Sequence, residues 1–176
     1  MRLTLPKLTL VLGGAASGKS AFAEDLITKA SDCPTYIATA QVYDDEMAQK
    51  VTRHREMRGT SWHTVEEPVE VAAAIKAAPA GQPILIDCAT LWLTNLILGE
   101  IDVAVHSSAL FETMRNAANP VVIVSNEVGQ GIVPDNALSR KFRNAQGTLN
   151  QQIAREADLV VAVMAGLPLV LKGQLA

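Results

Sequence analysis

The sequence predicts an α/β fold in which helices flank a mostly parallel β-sheet. Short apolar runs of the length of buried strands alternate with helical patterns along the chain, which is typical of parallel sheets. The first apolar run, 8–12, leads directly into a glycine-rich loop and then into a helical segment. No linker, internal repeat or low-complexity tract interrupts this pattern, so we expect residues 1–176 to form a single domain.

The boundaries of the elements follow from apolar periodicity, capping residues and the positions of glycine and proline. Beyond the first strand, strands are predicted at 36–39, 84–87, 121–124, 159–164 and 169–172. Helices are predicted at 18–30, 44–57, 69–78, 91–98, 107–118 and 135–157. Residues 62–67 are ambiguous. Gly147 predicts a break in the last helix, because glycine weakens helix interiors.

The composition excludes several classes of protein. The 176 residues are 49% hydrophobic and 19% charged, which suits a folded enzyme and excludes a disordered chain. A net charge of -3 argues against a surface that coats nucleic acid. Cys33 and Cys88 lie far apart, so neither a disulfide framework nor a zinc site is expected. With no signal-peptide pattern and no apolar stretch of membrane-spanning length, we expect a cytoplasmic protein without nucleic-acid partners or membrane insertion.

Residues 13–20 match the phosphate-binding loop pattern G-x-x-x-x-G-K-[ST]. The glycines allow successive backbone N–H groups to face a phosphate chain, and the following helix brings its positive end to the same place. Lys19 is expected to reach the terminal phosphates and the Ser20 hydroxyl to ligate magnesium. The expected phosphate-binding residues are Gly13, Gly14, Ala15, Ala16, Ser17, Gly18, Lys19 and Ser20. The chain is therefore predicted to bind a nucleoside triphosphate.

Asp87 ends the apolar run 84–87, a position that suits a carboxylate holding magnesium opposite a phosphate loop. In an open parallel sheet, ligands bind outside the carboxyl ends of the strands, which is where Asp87 falls. The alternative is a helix N-cap or turn aspartate, because Thr90 and an apolar helix follow.

The helix predicted at 44–57 carries an unusual histidine. Helical spacing places on one face the residues Asp44, Met47, Val51, His54 and Arg58. His54 is flanked by Arg53 and Arg55, and nearby positive charge disfavours a protonated imidazole. A neutral histidine among arginines suits a nucleophile that attacks phosphorus. A solvated basic turn fits the spacing equally well.

Two further groups of charged residues leave alternatives open. Arg140, Lys141 and Arg143 form a basic turn that either closes over phosphates or is simply solvated. Glu66 and Glu67 fit either a cap or a contact to a ribose.

Several longer motifs resemble one enzyme family closely. They occur, in the family's order, at 13–20, 36–40, 44–47, 54–58, 85–96, 125–134, 140–143, 147–151 and 165–168. In these motifs the chain is similar to the bifunctional adenosylcobinamide kinase/adenosylcobinamide-phosphate guanylyltransferases of cobalamin biosynthesis. The resemblance extends from about residue 8 to 173 and is weakest across 68–83 and 99–119.

The resemblance implies a RecA-like P-loop NTPase fold, a homotrimer and two reactions. ATP or GTP phosphorylates adenosylcobinamide, and GTP then transfers GMP to adenosylcobinamide phosphate through a covalent intermediate on a histidine, which corresponds to His54. Magnesium is implied at Ser20 and Asp87. Catalysis is implied for His54 and Lys19, and nucleotide contacts for the phosphate loop and for Ala38, Thr39, Ala40, Arg55, Glu56, Met57, Arg58, Glu66 and Asp87.

One departure from the family pattern concerns the phosphate loop. Many family members carry arginine at the position of Ala16, so one of the two activities is in question here. Two other interpretations of the motifs remain. One is a small-molecule kinase in which His54 is structural, and the other is a nucleotide-sensing module whose partner surface responds to triphosphate.

Overall fold

The described part of the chain consists of seven strands and five helices. The computed structural model describes residues 3–41 and 61–175, so the helix predicted at 44–57, with His54, lies outside the described residues. The strands are β1 (Leu8–Gly13), β2 (Thr35–Ala38), β3 (His63–Glu66), β4 (Ile84–Asp87), β5 (Val121–Asn126), β6 (Leu159–Met164) and β7 (Leu167–Lys172). The helices are α1 (Lys19–Thr28), α2 (Val71–Ala77), α3 (Ala89–Leu98), α4 (Val103–Asn116) and α5 (Ala137–Glu156).

The strands form one sheet in the order β3-β2-β4-β5-β1-β6-β7. Neighbouring strands are parallel except β6 and β7, which are antiparallel and joined by a two-residue turn after Met164. The register places Gly13 of β1 opposite Asn126 of β5, and Ala38 of β2 opposite Asp87 of β4. The mostly parallel α/β sheet expected from the sequence is confirmed.

Helices cover both faces of the sheet, because successive side chains of each strand point to opposite faces. On one face α1 packs against β1, β4, β5 and β6. The buried side chains of this core include Val11, Ala23, Leu26, Ile27, Leu85, Val122, Val124, Val161 and Val163. The other face is covered by α2 to α5, and its core includes Leu10, Ile37, Ile75, Ile86, Trp92, Leu93, Leu110, Met114, Ile123, Leu149 and Ile153. Among the described helices, none combines the length and apolar character needed to cross a bilayer.

Most element boundaries differ from the predictions by a few residues. The ambiguous segment 62–67 contains β3, which pairs in parallel with β2. α4 begins at Val103 rather than at 107, because the Asp102 carboxylate accepts hydrogen bonds from the N–H groups of Ala104 and Val105.

The predicted break at Gly147 is wrong, since α5 is continuous from Ala137 to Glu156. Its start is fixed by Asn136, whose Oδ1 accepts a hydrogen bond from the N–H of Ser139. The helix buries a stripe that includes Leu149 and Ile153 against the sheet. This packing outweighs the helix-weakening effect of one glycine, which is about 1 kcal/mol.

Gly147→Ala is therefore expected to stabilise the protein. A Cβ at position 147 meets no heavy atom within 4 Å, so the change should raise the free energy of unfolding by roughly 0.5–1 kcal/mol. Gly81→Ala is the matched control, because its Cβ also meets nothing within 4 Å but its φ is +78°. The control should lower stability by about 1 kcal/mol. Urea denaturation of the two variants checks both signs, and a loss of stability in Gly147→Ala would contradict the continuous helix.

Candidate nucleotide-binding site

The phosphate loop joins the carboxyl end of β1 to the amino end of α1. Gly18 is the N-cap of α1, with φ 93° and ψ 4°, and no side chain forms a hydrogen bond that caps the helix. The first N–H groups of α1 are therefore available to an anion, at the end of the helix where the dipole is positive. Within the loop, the N–H of Ser17 donates to the carbonyl of Gly14 at 3.3 Å. This arrangement is compatible with phosphate binding, and the contacts expected of the loop residues stay a prediction.

Gly13 and Gly18 of the loop are required by close approaches of the backbone, whereas a Cβ at Gly14 would meet no heavy atom within 4 Å. A Cβ at Gly13 would come within 2.7 Å of the Val163 carbonyl oxygen, and one at Gly18 would lie 3.1 Å from Cα of Gly166. The N–H of Gly166 also donates to the carbonyl of Ser17 at 2.8 Å. The exposed turn between β6 and β7 therefore supports the phosphate loop from behind.

Lys19 lies inside the phosphate loop. Its Nζ donates a hydrogen bond to the Gly14 carbonyl at 3.0 Å, which keeps the ammonium group against the loop backbone. The charge is thus held beside the N–H groups that would bind phosphate. This position agrees with the role predicted for Lys19 at the terminal phosphates.

Asp87 does not cap a helix. The N-cap of α3 is Cys88, which makes no side-chain capping hydrogen bond, so the alternative interpretation of Asp87 as an N-cap is wrong. Instead, Oδ2 of Asp87 accepts a hydrogen bond from the Tyr36 hydroxyl at 2.8 Å. Asp87 pairs with Ala38 and Val124, and its side chain therefore projects toward the face that α1 covers.

Thr39 fixes the ends of β2 and β4 to each other. Its N–H donates to the Asp87 carbonyl at 3.1 Å, and its hydroxyl donates to the Cys88 carbonyl at 2.7 Å while accepting from the Cys88 N–H at 2.8 Å. The Asn95 amide then donates to the carbonyls of Thr39 at 2.7 Å and Pro68 at 2.9 Å. The polar groups of Thr39 therefore hold the backbone from which Asp87 projects.

The two glutamates that follow the predicted strand have different positions. Glu66 is exposed at the end of β3 and pairs with Ala38, another predicted nucleotide contact. Glu67 turns toward α2, since its Oε1 accepts hydrogen bonds from the N–H groups of Val69 at 3.0 Å and Glu70 at 2.8 Å. Glu67 therefore stabilises the turn that precedes α2, and the nucleotide contact expected of Glu66 stays a prediction.

The basic turn at the start of α5 is partly structural. Nη1 of Arg140 donates to the carbonyls of Pro134 at 2.9 Å and Asp135 at 2.7 Å. Arg140 therefore anchors the loop that precedes its own helix. Lys141 is exposed, and within the described ranges neither it nor Arg143 forms an ion pair.

Sequence reasoning missed Asn126, which ends β5 between the phosphate-loop strand and the strand of Asp87. The N–H of Asn126 donates to the Thr90 hydroxyl at 2.8 Å, and its carbonyl accepts from the Asn150 amide at 3.0 Å. Its own Oδ1 is buried without a partner in the described part of the chain. The available signal was a pair of polar residues, Ser125 and Asn126, directly after the buried run 121–124.

The structure brings the predicted phosphate loop, Ala38–Ala40, Glu66 and Asp87 to the carboxyl edge of the sheet. The predicted residues His54, Arg55, Glu56, Met57 and Arg58 lie outside the described residues. Within 3–41 and 61–175, no group of three or more His, Cys, Asp and Glu side chains forms a metal cluster. The magnesium ligands predicted at Ser20 and Asp87 remain a prediction.

The thiol of Cys88 is buried in the same region. Burial raises its pKa from 9.0 to about 11, and the Asp87 carboxylate adds to the increase. The positive charge of Lys19 lowers the same pKa. The Cys88 thiol therefore lies close enough to Lys19 and Asp87 for both charges to affect its pKa. Cys88 is therefore neutral at physiological pH and acts as an apolar neighbour of the site.

The pKa of Cys88 predicts a pH-dependent reactivity. At pH 8 a thiol reagent should modify Cys33, which is exposed, and leave the buried Cys88 intact. Because the folded pKa is raised, the contribution of this thiol to stability is complete below pH 9.0 and is lost as the pH rises towards about 11. Thiol counting on native and unfolded protein checks the prediction, with Cys33→Ser as the control. Rapid modification of Cys88 in native Cys33→Ser at pH 8 would contradict it.

Solved structures share the fold at low sequence identity. The flagellar accessory protein FlaH from Methanocaldococcus jannaschii matches with a TM-score of 0.55 and 12% identity over 97% of this chain and 80% of FlaH. A solved ATPase domain matches with a TM-score of 0.51 and 14% identity over 89% of this chain and 69% of the matched one. These two matches show that the α/β fold of this chain occurs in solved structures.

Sequence comparisons are more specific. A family model described as cobinamide kinase/cobinamide phosphate guanyltransferase matches residues 9–171. The chain is 43% identical to the bifunctional adenosylcobalamin biosynthesis protein CobP of Pseudomonas aeruginosa, over 94% of this chain and 97% of CobP. It is 37% identical to the bifunctional adenosylcobalamin biosynthesis protein CobU of Escherichia coli, over 94% of this chain and 99% of CobU. The chain therefore belongs to the cobinamide kinase/cobinamide phosphate guanyltransferase family.

Proposed function

We propose that this chain catalyses two successive reactions on adenosylcobinamide. In the first, ATP or GTP phosphorylates the aminopropanol hydroxyl of adenosylcobinamide. In the second, GTP transfers GMP to the new phosphate, which yields adenosylcobinamide-GDP and pyrophosphate. The observation that carries the proposal is the match of residues 9–171 to a family of this double activity.

The described site suits both nucleotides through their common phosphate chain. The loop offers backbone N–H groups, the uncapped start of α1 and the Lys19 ammonium, none of which depends on the base. An exposed alanine with φ 54°, Ala16, occupies the loop position where many relatives carry arginine. A change at such an exposed position alters the charge near the phosphates and leaves the loop backbone unchanged.

Magnesium is proposed to bind between Ser20 and Asp87. The hydroxyl at the start of α1 and the carboxylate held by Tyr36 are both oxygen donors, which Mg²⁺ prefers. Mg²⁺ usually keeps several waters and takes one or two protein ligands beside the phosphates, so two side chains suffice. The bound ion would neutralise charge on the triphosphate during transfer.

Guanylyl transfer is assigned to His54. Its ring nitrogen forms a bond to the α-phosphorus of GTP, and the bond from that phosphorus to the bridging oxygen breaks as pyrophosphate leaves. A phosphate oxygen of adenosylcobinamide phosphate then attacks the same phosphorus and releases the histidine. Two displacements avoid a direct encounter between two polyanions. Arg55, Glu56, Met57 and Arg58 are proposed as nucleotide contacts beside the histidine, and the working enzyme as a cytoplasmic homotrimer.

The covalent intermediate gives a direct test. After incubation with GTP and magnesium, the intact protein should carry one GMP, on a bond labile in acid and stable in base. His54→Ala should carry none, because the nucleophile is absent. The same variant should keep its phosphorylation of adenosylcobinamide, since that reaction uses the phosphate loop. Intact-protein mass spectrometry and a coupled kinase assay measure the two activities.

His63→Ala is the matched control, because His63 is an exposed histidine of β3. It should form the adduct as the wild type does. Absence of the adduct from wild-type protein that demonstrably binds GTP would refute the role of His54. Equal loss of both reactions in a folded His54→Ala protein would refute the separation of the two activities.

A further inference from the structure

Among the described residues, two side-chain oxygens at the carboxyl edge of the sheet are buried without a partner, Oγ of Ser17 in the phosphate loop and Oδ1 of Asn126. Oδ1 of Asn126 has no hydrogen-bond partner, and its side-chain Nδ2 makes no hydrogen bond to another described residue. A buried carbonyl oxygen left unpaired lowers stability, so an unpaired one in a native fold needs an explanation. Here the explanation is its position beside the phosphate loop.

The backbone of Asn126 is fixed from three directions. Thr90 of α3 accepts from its N–H at 2.8 Å and Asn150 of α5 donates to its carbonyl at 3.0 Å. The N–H of the next residue, Glu127, donates to the carbonyl of Gly13 at 3.0 Å. The side chain therefore leaves a rigid support, while its own polar atoms remain unused.

A buried network behind the strand makes this support stiffer. The Ser125 hydroxyl donates to Oδ1 of Asn150 at 2.6 Å, and the Gln146 amide donates to Ser125 at 2.9 Å and to Asn150 at 2.9 Å. Buried hydrogen bonds of this kind strengthen one another in a medium of low dielectric. Two helices, α3 and α5, thus hold one residue at the end of β5.

The sheet directs the Asn126 side chain to the face on which the phosphate loop meets α1. Asn126 and Val124 project to the same face, because they are two residues apart on one strand. Val124 pairs with Asp87, and Asn126 pairs with Gly13, which has no side chain to intervene. The carboxamide therefore lies on the face of α1, between the phosphate loop and the carboxylate.

We propose that Asn126 is a catalytic residue of the phosphoryl-transfer step. Its Nδ2 donates to an oxygen of the terminal phosphate, and its Oδ1 accepts a hydrogen bond from the hydroxyl that attacks that phosphate. One rigid carboxamide then aligns the nucleophile with the phosphorus, which is the main requirement of such a transfer. The inference rests on the proposed kinase function.

The chemical step is balanced without a further reagent. The hydroxyl oxygen forms a bond to the γ-phosphorus, and the bond from that phosphorus to the oxygen bridging the β-phosphate breaks. The nucleoside diphosphate leaves with the electron pair of that bond. The hydroxyl proton passes to an oxygen of the transferred phosphoryl group and then to solvent. An amide is too weak a base to take it, so Asn126 only orients the hydroxyl.

Guanylyl transfer makes a different demand on Asn126. The reacting α-phosphorus is two phosphates away from the terminal one, so the Oδ1 contact to an attacking hydroxyl has no part in that reaction. The Nδ2 contact to the terminal phosphate still contributes to GTP binding. Loss of Asn126 should therefore weaken nucleotide binding in both reactions and slow only phosphoryl transfer at saturating nucleotide.

The test uses Asn126→Asp, which keeps the shape and the acceptor but loses the donor, and Asn126→Ala, which loses both. Asn116→Asp is the control, because Asn116 is an exposed residue at the end of α4. At saturating GTP, Asn126→Ala should lose about 100-fold in kcat for phosphorylation, and Asn126→Asp should lose less because it keeps the acceptor oxygen. GMP adduct formation at saturating GTP should stay at the wild-type rate, and the control should match the wild type throughout.

Calorimetry provides a second measurement that needs no turnover. Affinity for a non-hydrolysable GTP analogue with magnesium should fall about tenfold in both variants, with Asn126→Asp the weaker because its charge repels phosphate. Affinity for GDP should not change.

Three outcomes would overturn the inference: equal kcat losses in both reactions, unchanged phosphorylation, or unaltered affinity of Asn126→Asp for the analogue. Failure of the proposed function would be recognised differently, because the wild-type protein would then show neither phosphorylation nor GMP adduct formation. In that case the comparison of triphosphate with diphosphate affinity still decides whether Asn126 contacts the terminal phosphate.

Discussion

Hydrogen bonding between parallel strands fixes where each strand ends, and the site depends on that register. Gly13 and Asn126 are paired, as are Ala38 and Asp87, so the ends of four strands reach the same edge of the sheet. A shift of one residue in any of these pairs would turn the Asp87 or Asn126 side chain to the opposite face. Because β1, β4 and β5 are buried on both faces, such a shift would exchange their side chains between two cores that are each packed for the present register.

The polar side chains at this edge of the sheet fall into two sets, one that holds the backbone in place and one that lies beside the phosphate loop. Thr39, Thr90 and Asn150 direct their hydrogen bonds inward, to backbone groups of neighbouring strands. Lys19 and Asp87 differ from these residues. Nζ of Lys19 donates a hydrogen bond to the Gly14 carbonyl of the phosphate loop, and Oδ2 of Asp87 accepts one from the Tyr36 hydroxyl. A preorganised binding site is expected to combine a rigid backbone with a few polar side chains whose hydrogen-bonding capacity is not filled by the protein.

The parts of the site that could be predicted are those encoded locally. The phosphate loop is contiguous in sequence, and Asp87 ends an isolated apolar run, so each carries its own signal. Asn126 could not be assigned, because its surroundings come from Thr90 and Asn150 on two separate helices. The break expected at Gly147 failed for a related reason, since burial of one helix face outweighed a local preference. The alternation of strands and helices was enough for the fold class, whereas the strand order depended on contacts between distant segments.

The turn between β6 and β7 has a consequence for how the protein can change. Ala165 and Gly166 are exposed, at a surface position where chains ordinarily accept insertions. Here the Gly166 backbone leaves no room for a side chain at Gly18, and its N–H donates to the Ser17 carbonyl. An added residue would pull the turn away from the phosphate loop while leaving the core intact. The length of this surface turn is therefore tied to the position of the phosphate loop, and natural variation should be sparse here although exposed turns ordinarily tolerate it.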